Sequence, residues 1–224
     1  MSEAVAAAAR KRGERRRAQT RAALIRAAQQ LLAEDRTGVP ILEITELAQV
    51  GMGSFYNHFE TKDDLFRAAV ESALELHGSV LDAWTEDLAD PAEVFARSFR
   101  LTGRIHRVEP QLSRVILARG TAMITSEHGL GPRALRDITH GCATGRFTVP
   151  DPYPALLVAG GAALALGQAI HDQPERDDAE LTDRVTEDVL RMLGVPPDDA
   201  ATICRAPLPS VVELLAQALP ELSP

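Results

Sequence analysis

A chain of 224 residues that is 45% hydrophobic but only 4% aromatic, with abundant Ala and Leu, has room for two domains and favours helix over sheet. A formal net charge of −8 would exclude a nucleic-acid partner if it were evenly spread. It is not: residues 1–62 carry ten basic and seven acidic residues, net +3, and the remainder carry 14 and 25, net −11, so one end can approach a polyanion that the other repels.

In chain order, residues 1–17 are Ala-rich and then Arg-rich, with Gly13 in the middle and no apolar stripe. They read as a disordered basic arm, either solvated or following phosphates beside a main contact. From Ala18 to Asp35, the positions Leu24, Ala28, Leu31 and Leu32 form one apolar stripe, the first helix of a three-helix head. Gly38 and Pro40 close the linker to a second helix, in which Ile41, Ile44 and Ala48 share a face. The chain breaks at Val50-Gly51, and a third helix is expected over 52–59, with Phe55 and Phe59 packed one turn apart and Ser54, Asn57 and His58 outward. Thr61 is placed to cap a fourth helix, with Asp63 and Asp64 in its first turn. The stretch 41–66 therefore reads as a helix-turn-helix.

Gly53, Ser54, Phe55, Tyr56, His58, Phe59 and Lys62 stand at unbroken spacing, and this stretch closely resembles the DNA-binding domain of the TetR family of transcriptional regulators. Three positions depart from the family pattern: Gln49 replaces the turn glycine, Gly51 replaces a Ser-like cap, and Pro40 replaces the Thr that opens helix 2. The resemblance implies an all-α protein. It would have an N-terminal three-helix helix-turn-helix head and a C-terminal helical domain for ligand binding and dimerisation. The expected boundaries are a basic arm at 1–17, the head at 18–66 with its fourth helix continuing to about 84, and the C-terminal domain at 67–224.

The DNA-binding candidates are Met52, Gly53, Ser54, Tyr56, Asn57, His58 and Lys62. Gly53 permits close backbone approach, Ser54 and Asn57 suit base edges or phosphate, and Met52 offers apolar contact to a thymine methyl. Tyr56 and His58 resemble the family's phosphate-contacting pair, and Lys62 supplies a flexible point charge. The partner implied is a palindromic double-stranded operator bound by a homodimer.

Beyond the head, helices are expected from Asp90-Pro91 to Pro110, from Leu112 to Thr125 and from Pro132 to Thr144, punctuated by Gly129, Gly131, Gly145 and three prolines. Residues 153–171 are apolar on all sides and dominated by Ala and Gly, which fits a buried helix better than a membrane span. Gly160, Gly161 and Gly167 would allow close helix approach. Together with 178–193 this segment is expected to form the dimer interface, and a further helix is expected over Val211–Leu219.

There is no P-loop, GxSxG, HExxH or dinucleotide fingerprint, so no catalytic site is expected and no cofactor is implied. The two cysteines, Cys142 and Cys204, form no CxxC pair, and Met1–Ala9 has no export character, so a reducing, cytoplasmic setting is expected. Metal or thiol sensing through Cys142 and Cys204 is one alternative, and a helical interaction module without DNA function is another. By resemblance, a mostly apolar small-molecule effector releases DNA. Candidate contacts are Phe95, Phe99, Arg104, His106, Ile116, Thr121, Met123 and Phe147.

Overall fold

The computed structural model describes residues 2–209, and among them every regular element is helical. The order is α1 (Ser2–Ala33), α2 (Ile41–Leu47), α3 (Met52–Tyr56), α4 (Lys62–Thr85), α5 (Pro91–Val108), α6 (Pro110–Arg119), a 3-10 turn (Gly120–Met123), α7 (Leu130–Ala143), α8 (Pro152–Asp172), α9 (Asp178–Met192) and α10 (Pro197–Arg205). The chain packs as two compact units that divide between Ala73 and Leu74, inside α4 and downstream of the boundary at Phe66 read from the sequence.

In the first unit the apolar stripes behave as their spacing dictates. Leu24, Ala28 and Leu31 of α1, Ile44 of α2, Phe55 of α3 and Leu65 of α4 are fully buried. The basic arm is a correction: it is not disordered but continues α1 back to Ser2. Ala and straight-chain Arg are strong helix formers, and α1 is already nucleated by its buried second half, so no apolar stripe is needed to extend it. The residues from Arg10 to Gln19 remain solvent-exposed.

Two turns shape the head. At the end of α2 the Gln49 N–H donates to the Glu46 carbonyl at 3.0 Å and the Val50 N–H to the Thr45 carbonyl at 2.9 Å. That pair of bonds defines a Schellman cap, which requires a left-handed residue at Gln49, where φ is +55°. The start of α4 is a capping box: the Asp64 N–H donates to Thr61 Oγ1 at 3.1 Å while the Thr61 N–H donates back to Asp64 Oδ2 at 3.2 Å.

In the second unit α5 lies at the centre, packed against α7, α8 and α9, with α10 lying on α9. Aspartates cap three of its helices. Asp90 accepts from Ala92 N at 2.9 Å, Asp151 from Tyr153 N at 3.0 Å and Asp177 from Glu180 N at 2.9 Å, and Pro91 and Pro152 occupy the first helical turn. Phe95, Ile138, Leu156, Leu166, Ile170, Leu190 and Leu193 form the core. The single helix expected over Leu112–Thr125 is instead α6 plus a 3-10 turn, because Gly120 takes a φ of +57° that no right-handed helix accommodates. The helix α10 was not anticipated, and it buries Ala200, Ile203 and Cys204. Val211–Leu219 lies outside the described residues.

By length and composition α8 could cross a membrane. One face, carrying Ala155, Leu156, Ala159, Leu166 and Ile170, is buried on its neighbours; Tyr153, Leu157 and Val158 on the other face are exposed. Its glycines serve contacts within the chain: a Cβ on Gly160 would meet Ile124, and one on Gly167 would meet the His106 ring. Gly161 alone of the three faces open space.

Candidate functional site

The short helix α3 is held from beneath by Phe55, which is fully buried, and Phe59, whose rings lie 6.1 Å apart. It ends at Tyr56, with Asn57 as its C-cap, and so is shorter than the 52–59 helix expected. Because five residues cannot hold a helix alone, the aromatic pair fixes which side chains face outward. Met52, Gly53, Tyr56 and Asn57 are exposed, and Ser54 and His58 are half-buried. Tyr56 stands edge-on to Phe55 at 5.3 Å, leaving its hydroxyl in solvent.

Two arginines of α1 border this surface and were missed as individual contacts. Arg17 donates to the Asn57 carbonyl at 3.5 Å, and the Arg21 guanidinium lies 5.3 Å from the centre of the Phe59 ring, a cation–π arrangement. Burial first, then Arg17 and Arg21, lower the His58 pKa. His58 is therefore neutral at pH 7, a hydrogen-bonding group and not a charge. The sequence signal was present in the run of basic residues, but which of them reach α3 depends on how α1 crosses it. Lys62 donates to the Val39 carbonyl at 2.8 Å and to the Thr37 carbonyl at 3.4 Å, tying the linker before α2 to the start of α4.

The second unit contains a partly open cavity of about 150 Å³. Its wall includes Leu74, His77, Leu81 and Asp82 from the second half of α4, facing Phe95, Phe99, Thr102 and His106 of α5. Of the effector contacts expected from sequence, Phe95, Phe99, His106, Ile116 and Met123 line it. Arg104, Thr121 and Phe147 do not, and each has a physical reason. Arg104 turns to α9, where it donates to Asp183 and to the Ala179 carbonyl, each at 2.8 Å. Thr121 is exposed on the 3-10 turn. Phe147 is buried behind the wall, edge-on to Phe95 at 6.1 Å, in a space kept open by Gly141.

The polar groups on the cavity wall and behind it fall into two sets. His77 Nε2 and Thr102 Oγ1 are 3.2 Å apart, and His106 Nδ1 meets the buried Ser113 hydroxyl at 2.5 Å, which in turn meets His171 Nε2 at 2.8 Å. Burial pushes the pKa values of both His77 and His106 down to about 4, so both imidazoles are neutral. The other set is ionic. Arg133 of α7 donates to Glu75 at 2.7 Å and to Asp82 at 2.8 Å, and Arg136 donates to Asp82 at 2.8 Å. The Arg133 hydrogen bond and the Gly129 N–H hold Glu75 down to about 2, whereas burial raises Asp137.

Burial pushes the Cys204 thiol up to about 11, the direction opposite to that of a reactive thiolate, and Cys142 lies with Sγ 3.8 Å from the Val149 carbonyl. Among the described residues no three His, Cys, Asp or Glu side chains are grouped to hold a metal.

A helix-turn-helix head joined to a helical unit defines a DNA-binding transcriptional regulator. The family model for bacterial regulatory proteins of the tetR family matches residues 24–69, and the tetracyclin repressor-like C-terminal domain matches 90–206. The chain belongs to the TetR family. Its fold is similar to crystal structures of RolR, one in complex with resorcinol (36% identity, 88% of this chain and 98% of that one, TM-score 0.67) and one without ligand (37%, 85% and 99%, TM-score 0.70). It also shares the fold of the fatty acid degradation regulator FadR from Bacillus halodurans, at 16% identity over 75% of this chain and 93% of that one, with a TM-score of 0.57. No curated protein sequence matches it.

Proposed function

We propose that the protein is a cytoplasmic, ligand-released repressor that binds a palindromic operator as a homodimer. The observation that carries this reading is the course of α4. Its first turn is tied to the head by the Lys62 bonds to the Thr37 and Val39 carbonyls and by buried Leu65, and its second half supplies Leu74, His77, Leu81 and Asp82 to the cavity wall. A ligand that repositions that wall therefore acts on the helix that carries the head. It releases DNA only to the extent that it binds the DNA-incompetent arrangement more tightly, and about 1–3 kcal/mol of coupling gives a useful response.

The DNA contacts fall on Met52, Gly53, Ser54, Tyr56, Asn57 and His58, with Arg17, Arg21 and Lys62 on the phosphates. The dimer forms through the apolar face of α8 with α9, since Tyr153, Leu157 and Val158 stay exposed to solvent among the described residues. The effector is a small, mostly apolar ring compound. A cavity of about 150 Å³ is the size that holds a benzene-scale ring, and RolR, a relative of 36% identity, was crystallised with resorcinol.

The test has two arms. Selection of bound duplexes from a random pool yields the operator, expected as an inverted repeat; equal binding of symmetric and scrambled duplexes removes specific recognition. Titration of resorcinol into the protein–operator complex should then release DNA, and a compound that raises the melting temperature while leaving operator affinity unchanged would show a pocket without a switch.

A further inference from the structure

The proposed effector site contains polar chemistry that an apolar pocket does not need. We propose that His77 and Thr102 form a hydroxyl-recognition station in the cavity, so that the effector is a neutral ring compound bearing a hydroxyl group and not an aromatic carboxylate. This rests on the effector-cavity reading above.

The two side chains come from different helices, α4 and α5, and meet at 3.2 Å across the cavity wall. His77 is 6% exposed, and Leu74, Leu81, Phe99 and Ile105 make the surroundings apolar. One bond between a neutral imidazole and a hydroxyl does not use up their capacity. The Thr hydroxyl has one donor and two acceptor positions, and the imidazole has one of each. A ligand hydroxyl can therefore join the pair without breaking it. A hydrocarbon of the same shape would leave that capacity without a partner, which is unfavourable in a low-dielectric site.

The same wall rejects an anion. Arg133, the cation that lines the cavity, is engaged by Glu75 and Asp82, and the Asp82 and Asp137 carboxyl groups line it as well. Both imidazoles that line it are uncharged at pH 7. A carboxylate would enter with no free cation among the described lining residues to receive it and two carboxyl groups nearby, whereas a phenolic hydroxyl brings no charge to desolvate.

The test is calorimetric titration of resorcinol, phenol, toluene and benzoate into the full-length protein, its near-isosteric variant Thr102→Val and the variant His77→Leu. In the unaltered protein, phenol and resorcinol should bind at least tenfold more tightly than toluene, and benzoate should bind more weakly than any of them. Thr102→Val should lose at least fivefold in phenol and resorcinol affinity while toluene stays within twofold. Thr102→Val changes one hydroxyl for a methyl, so it keeps the question answerable if His77→Leu does not fold. Toluene binding as tightly as phenol, benzoate binding more tightly than phenol, or phenol affinity unchanged in Thr102→Val overturns the station and leaves the cavity reading standing. Failure of every ring probe to bind overturns the cavity reading and this inference with it.

Discussion

The Lys62 ammonium donates to the Val39 carbonyl at 2.8 Å, joining the start of α4 to the linker that precedes α2. With Thr37 as a second acceptor, one of its three N–H groups remains for a phosphate. Lys62→Met should therefore lower head stability by about 1 kcal/mol in urea unfolding and reduce the salt slope of operator binding by about one phosphate's share. Lost stability with an unchanged slope would make Lys62 a strut alone.

Gln49 adopts φ +55° at the Schellman position of α2. A non-Gly residue in the left-handed region costs about 1–2 kcal/mol, part of which a glycine gives back through the greater freedom of its unfolded chain. Gln49→Gly should raise stability by roughly 0.5–1 kcal/mol without altering DNA sequence preference. A lower melting temperature in this variant would contradict the strain assigned to that turn.

Asn57, at the end of α3, and Arg17 of α1, which donates to its carbonyl, should fail differently. Asn57→Ala should relax preference at one operator position by about 1–3 kcal/mol, while Arg17→Ala and Arg21→Ala should weaken all duplexes alike and lower the salt slope by about one each. Gel-shift measurements over a salt series on operator and scrambled duplexes distinguish the two patterns.

The exposed face of α8 makes Val158→Asp the substitution that should separate the dimer, read as a halved mass in sedimentation. Leu164, which the sequence places in the same apolar run, lines the cavity instead. Leu164→Glu should therefore destabilise the second unit before it tests association.

Acid should weaken the second unit in two steps. His77 and His106 titrate near 4 when folded, below their ordinary 6.5, so the unfolded chain takes up protons first as pH falls. Their contribution is fully present above 6.5, is lost as pH falls from 6.5 to 4 and is of the order of 3 kcal/mol for each. Glu75, held near 2, adds a smaller loss between 4.5 and 2, small because half of its side chain is in water. Urea unfolding at a series of pH values should show the first step reduced in His77→Leu. An unchanged step would mean that His77 is not the buried neutral group described.

The head was legible in the sequence because its determinants are local. The Phe55–Phe59 spacing, the Thr61 cap and the break at Gly51 act within a few residues of each other, and a five-residue helix has few ways to pack. The left-handed demand at Gln49 was visible as a missing glycine. The cavity was not legible in the same way. His106 lines its wall, but Arg104, two residues away on α5, does not. Residues two apart on a helix point roughly 200° apart, so only one of them can face the cavity, and the sequence does not say which. The choice falls to α9, whose Asp183 receives both Arg100 and Arg104 and so turns that face of α5 away from the pocket. Local periodicity determined where the helices lie and which stripe of each is apolar. Only packing among α4, α5, α7, α8 and α9 decided which polar side chains those stripes enclose, because a buried charge goes where a partner from a distant part of the chain can meet it.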